Sequence, residues 1–170
     1  RMRTHGRVTA VLVVMALAVS TLSAFAGPSA VRAAVGGPVI LGGDDMTDHG
    51  SRSGTNQEGW LYLERAIENV LPQVARPGND GSIAALGSAD STDTSGGDAG
   101  AAIHWAANDA GAGVGVAFYD GEAAIQGFFA ALGTGAVKPA IIWIAGTGAG
   151  NDLSGDEPAA LTDNASAIAG

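Results

Sequence analysis

From residue 38 onward the chain repeats one pattern four times: a short aliphatic run, a turn rich in Gly and Asp, then a stretch of helical periodicity. That alternation is the strongest constraint on the fold, because strands separated by helices pair in parallel through crossovers. The runs are Pro38-Val39-Ile40-Leu41, Ser82-Ile83-Ala84-Ala85-Leu86, Val114-Gly115-Val116-Ala117-Phe118-Tyr119 and Ala140-Ile141-Ile142-Trp143-Ile144. They are continuously apolar rather than alternating, as strands covered on both faces are. The expected class is α/β, an open, doubly wound parallel sheet. The expected strand order is 2-1-3-4, with the Val39 strand inside and the Ile141 strand at an edge. The four units share a pattern but no repeated sequence.

Helices are expected between and after these runs. Trp60, Leu63, Ile67, Val70 and Leu71 share one face of the first, which Pro72 stops. Asp98 is placed to cap the second, which carries Ile103 and Trp105 and ends near Gly111. The third, residues 122–132, has Ile125, Phe128, Phe129 and Leu132 at helical spacing, with Asp120 as its expected cap. Asp156-Glu157-Pro158 opens the fourth, with Leu161, Ala165 and Ile168 expected to face inward. Trp60, Trp105 and Trp143 read as core.

The N-terminus has a different grammar. Arg1, Arg3 and Arg7 precede an uncharged apolar stretch, residues 8–22, and Ala24-Phe25-Ala26 then fits a signal-peptidase site. The stretch is about fifteen residues long, short of the ~20 a membrane-spanning helix needs. Residues 1–34 are therefore expected to be a secretory signal and leader, and residues 35–170 a single α/β domain. Arg1 stands before Met2, and Gly170 falls where a fifth strand would be due. The chain thus reads as a fragment, incomplete at its C-terminus. The absence of cysteine excludes disulfides, thiolate metal sites and a thiol nucleophile, and suits an exported protein stabilised by packing alone.

Export also changes the charge. Arg1, Arg3, Arg7 and Arg32 lie in or beside the leader, leaving four basic residues against all 17 acids, a mature net charge of −13. Such a surface repels phosphate backbones and anionic lipid, so neither nucleic acid nor membrane is an expected partner after cleavage. Solubility, or a salty exterior, accounts for the same charge.

Candidate functional residues gather where ligands bind in open α/β sheets, beyond the carboxyl ends of the strands. Asp44, Asp45, Asp48 and His49 follow the first run within six positions. Their oxygens suit a hard cation such as calcium, and the imidazole widens the choice to transition metals. A polar turn that caps the next helix uses the same residue types. A divalent cation is the one cofactor these residues suggest. Asp120 and Asp152 should end neighbouring strands beside that cluster and, with Gly146 and Gly148, form a ligand-binding rim. The run Gly146-Thr147-Gly148-Ala149-Gly150-Asn151-Asp152 lacks the lysine and spacing of a phosphate loop. Its glycines are expected to let the chain pass close to a neighbouring loop. No G-x-S-x-G elbow is present, and His104 within a helix reads as a packed or half-exposed residue rather than a ligand.

The run Pro139-Ala140-Ile141-Ile142-Trp143-Ile144-Ala145-Gly146-Thr147-Gly148, followed by acids and Glu157-Pro158-Ala159-Ala160-Leu161, resembles a segment of the class I glutamine amidotransferase-like superfamily. The resemblance covers about a third of the mature chain and implies a flavodoxin-like sheet. The catalytic cysteine of that superfamily has no counterpart here, so amidotransfer is not implied.

Two functions follow as expectations. One is a secreted or cell-surface binding module whose acidic edge holds a cation or a polyhydroxylated, cell-surface ligand. The other is a metal-dependent extracellular hydrolase using the Asp44–His49 cluster and a bound water. The leader makes the first test simple. N-terminal sequencing of exported material should begin at Gly27, and an intact Met2 on a cell-associated product contradicts the reading.

Overall fold

Four residues, Ile83–Leu86, form β1, and none is more than 2% exposed. A strand so covered must have neighbours on both edges and helices on both faces. The computed structural model describes residues 38–40, 58–111, 114–147 and 150–169, all within the compact unit Gly36–Gly170. Its elements in chain order are α1 (Glu58–Val70), a 3-10 turn (Leu71–Gln73), β1, α2 (Ala99–Ala110), β2 (Val116–Tyr119), α3 (Glu122–Thr134), β3 (Ile141–Ile144), α4 (Glu157–Asp163) and α5 (Ala165–Ala169). Among the described residues no helix is long and apolar enough to cross a membrane.

The three strands form a parallel sheet in the order β2-β1-β3. Ile83 lies beside Val116 and Ile141, and Leu86 beside Tyr119 and Ile144. Alternation along β1 divides the core in two. Ile83 and Ala85 pack with Trp60, Leu63 and Ile67 of α1 and with Ile103 and the alanines of α2. Ala84 and Leu86 pack with Ile125, Phe128, Phe129 and Leu132 of α3 and Ala160 of α4. From β1 to β2 the chain travels one way through α2; from β2 to β3 it returns past β1 through α3. Crossovers of one hand taken in opposite directions place their helices on opposite faces. The α/β class and the parallel sheet agree with the sequence.

The order 2-1-3-4 does not hold. It put the Ile83 run at an edge beside the Val39 run, and the Val116 and Ile141 runs next to each other. Instead the Ile83 strand stands between the other two. Pro38, Val39 and Ile40 carry no strand, and Val39 is 78% exposed. The reason is volume: Ala84 and Ala85 let both helix layers close onto β1, so it takes the centre despite being the least bulky run. Strand preference reflects such packing more than intrinsic hydrophobicity. The Ile141 strand does lie at an edge of the described sheet, half-buried, with Ile144 exposed.

Helix ends differ in two places. The cap position of α3 is Gly121, without a side-chain cap bond, and Asp120 before it is exposed. The final helix breaks at Asn164, whose amide donates to Ala160 O (2.9 Å) while its N–H reaches Leu161 O. A side chain competing for backbone carbonyls in this way interrupts a helix. Beyond the break Ala165 and Ile168 face solvent rather than the core, Ile168 being 39% exposed. Trp60 is buried as expected, and Trp105 and Trp143 pack half-buried against the same core.

Two glycines separate packing from propensity. A Cβ on Gly100 of α2 would lie 2.0 Å from Ala89 O and 2.3 Å from Asn151 Nδ2, whereas a Cβ on Gly133 of α3 meets nothing within 4 Å. Gly100→Ala should therefore lower stability by about 1–3 kcal/mol, and Gly133→Ala should raise it by up to about 1 kcal/mol. Chemical denaturation of both variants checks the contrast; equal shifts of one sign contradict the packing.

Candidate functional site

The crossovers reverse direction between β1 and β3, so the loops leaving those strands diverge to opposite faces. In open α/β sheets this is where a ligand crevice forms. The loops are residues 87–98 after β1 and 145–156 after β3, and they are locked together.

Asn151 is the lock. Its Oδ1 accepts from Ala89 N (2.7 Å), and its Nδ2 donates to Ala89 O (2.8 Å) and to Asp98 Oδ1 (2.9 Å). Asp98 also caps α2, accepting from Ala101 N (3.0 Å), and takes the Ser91 hydroxyl on its other oxygen (2.6 Å). The backbones pair alongside: Gly150 N donates to Gly97 O (2.7 Å) and Ala99 N to Gly150 O (3.0 Å). Asn151 holds this position at φ 53, alone among described non-glycine residues on the left-handed side. Asn tolerates that backbone better than most residues, at a cost on the order of 1 kcal/mol, which three amide hydrogen bonds offset. The close approach expected of the glycine run is made by Gly150, where a Cβ would sit 2.8 Å from Gly97 O. Gly146 has open space around it and accepts from Leu153 N (3.1 Å). Gly148 lies outside the described residues.

A second tie reaches the turn after β2. Glu157 is 3% exposed, and its Oε1 accepts from Gly121 N (2.6 Å) at the start of α3. Its Oε2 accepts from Ser154 N (2.7 Å), two residues before Asp156, the cap position of α4. The carboxylate thus satisfies one N–H at the start of α3 and one in the turn before α4, where the helix dipoles also favour negative charge. Asn151 and Glu157 together make the β3 loop the hub of all three carboxyl-end loops.

Asp120 and Asp152 do not follow neighbouring strands, because β1 stands between β2 and β3. Asp44, Asp45, Asp48 and His49 lie outside the described residues. Among the described residues no group of three His, Asp or Glu side chains is arranged to hold a metal. Asp90 and His104 do meet, with Nδ1 2.8 Å from Oδ1. The Ser95 N–H and hydroxyl hold the Asp93 carboxyl below the usual carboxylate range.

Two polar atoms stand out against this otherwise well-bonded framework. Ser88 is fully buried and its Oγ has no partner, and Asp152 Oδ2 is buried and equally unpaired. Their chain neighbours Gly87 and Leu153 pack directly together; a Cβ on Gly87 would lie 2.3 Å from Leu153 Cδ2. Most buried polar groups are bonded; these two have no partner within the loops, and Trp60 Nε1 in the core is likewise without one. Asn151 and Glu157 were not singled out from the sequence. An Asn among glycines after a strand carries a left-handed signal, whereas Glu157 looks only like a helix opener. No family model matches the chain, and neither does any curated protein or solved structure.

Asn151→Asp preserves shape and tolerance of the left-handed backbone but turns two donors into a carboxylate facing Ala89 O and Asp98. The new carboxyl should have a raised pKa in the folded state, so its penalty grows as pH rises. We expect a loss of about 1–3 kcal/mol, larger at about pH 7 than at about pH 4. Urea melts at both pH values check it; a neutral, pH-independent substitution contradicts the lock.

Proposed function

We propose that this chain is a secreted binding module of flavodoxin-like architecture, whose ligand edge is the carboxyl end of the sheet at the β1/β3 crossover reversal. The observation that carries the reading is the pair of buried, unpartnered polar atoms, Ser88 Oγ and Asp152 Oδ2, on two loops held rigidly together there. The order β2-β1-β3 supports the architecture: it matches the first three places of the doubly wound order 2-1-3-4-5, counted from the Ile83 strand. The resemblance of the segment around Ile141 to the glutamine amidotransferase-like superfamily points the same way.

Charge narrows the ligand. Arg65 is engaged by Glu64 and Glu68 on α1, and Arg76 and Lys138 precede β1 and β3, at the opposite end of the strands. Among the described residues no Lys or Arg forms an ion pair with the carboxylates of the carboxyl-end loops. This favours a divalent cation, or a polyhydroxylated ligand that donates hydroxyls to carboxylates, and disfavours anions. Asp44, Asp45, Asp48 and His49 would add further ligands from the preceding segment.

Calorimetric titration of the leader-free protein with calcium, then with a transition metal, tests this reading. We expect binding tighter than about millimolar, the ~4 kcal/mol level, with a rise in melting temperature by mass action. Asp152→Asn should weaken it, and Asp44→Asn combined with Asp48→Asn should abolish it. If no divalent ion binds at that level and no variant changes melting, the acidic edge is a solvated rim and not a cation site.

A further inference from the structure

On the β2 side of β1, away from the crossover reversal, an open groove of about 250 Å³ lies between α2 and the sheet. Its lining is mostly polar, with Asp90, His104 and Asn108 on one wall, and Val114, Val116 and Phe118 add a smaller apolar part. His104 and Asn108 are one helical turn apart on α2 and so share a face. Asp90 comes from the loop after β1.

The His104–Asp90 contact fixes the chemistry of this wall. A carboxylate 2.8 Å from Nδ1 requires the proton on Nδ1, because an ionised carboxylate only accepts. Nε2 of the neutral ring is then an acceptor with no bonded partner among the described residues. The ring is also held edge-on to Trp105, with centroids 5.0 Å apart, so its direction is set from two sides. An oriented imidazole presenting a lone pair beside apolar side chains accepts a hydrogen bond from an O–H.

We propose that this groove binds a small uncharged molecule carrying a hydroxyl on a single apolar ring, with His104 Nε2 accepting the hydroxyl proton. Size limits the ligand to about one ring, since the volume falls below that of pockets for drug-sized molecules. The nearby Asp90 carboxylate disfavours anions, and Val114, Val116 and Phe118 disfavour strongly hydrated cations. Asn108 offers an amide for a second polar substituent. The site takes a different ligand class from the crossover edge and stands whether or not that edge binds a cation.

The test is nuclear magnetic resonance titration of the leader-free chain with p-cresol and, separately, with toluene, which lacks the hydroxyl. p-Cresol should shift the His104 ring protons and the amides of Val114, Val116 and Phe118 saturably. Toluene should bind roughly tenfold more weakly, the worth of one good hydrogen bond. His104→Ala should reduce p-cresol to the toluene level. Asp90→Asn, which leaves the ring in place without its charged anchor, should weaken p-cresol severalfold and toluene not at all. The proposal is overturned if no saturable shift appears, if the shifted signals lie outside the groove, or if either variant binds p-cresol as tightly as the parent chain.

Discussion

The amide of Asn151 is the interaction on which the upper edge of this fold depends. One side chain bonds both backbone groups of Ala89 and the capping carboxylate of Asp98. The loop after β1, the start of α2 and the loop after β3 therefore cannot move independently. Gly100 fits beneath Ala89 O only because it lacks a side chain, and Leu153 fits over Gly87 for the same reason. Glu157 then fastens the β2 turn to the same hub. The result is a set of strand-end loops built from polar bonds, above a core built from alanine, isoleucine and phenylalanine.

This division of labour follows from the crossover geometry. Reversing direction at β1 sends α2 to one face and α3 to the other, and leaves a gap at the strand ends that no helix among the described residues fills. Helix packing cannot order that gap, so hydrogen bonds must. Loops ordered in this way present polar groups at fixed positions, which is what a binding edge requires. The buried Ser88 hydroxyl and Asp152 oxygen sit within this ordered region rather than on a frayed loop.

The sequence disclosed what is local and concealed what is distant. The spacing of Ile125, Phe128, Phe129 and Leu132 places α3 directly, and all four are buried. Asp98 is identifiable as a cap, and it caps. The central place of β1 is not legible, because Ala84-Ala85 looks weaker than Ile141-Ile142-Trp143-Ile144. Smallness, not hydrophobicity, lets two helix layers close on one strand. Asn151 and Ala89 are 62 residues apart, and no local pattern announces their pairing. Asp120 illustrates the converse: it has the form of a cap, yet Gly121 takes the cap position of α3.

Native-state hydrogen exchange tests the account most directly, because the claim is that these loops open only with the sheet beneath them. Ala89 N is bonded to Asn151, and Gly121 N and Ser154 N to Glu157, while Gly87 N and Ala145 N belong to the sheet ladder. The account predicts that the three loop amides are protected to within roughly tenfold of the two ladder amides. Exchange of Ala89, Gly121 and Ser154 at the rate of an unprotected chain, with Gly87 and Ala145 still protected, would contradict it.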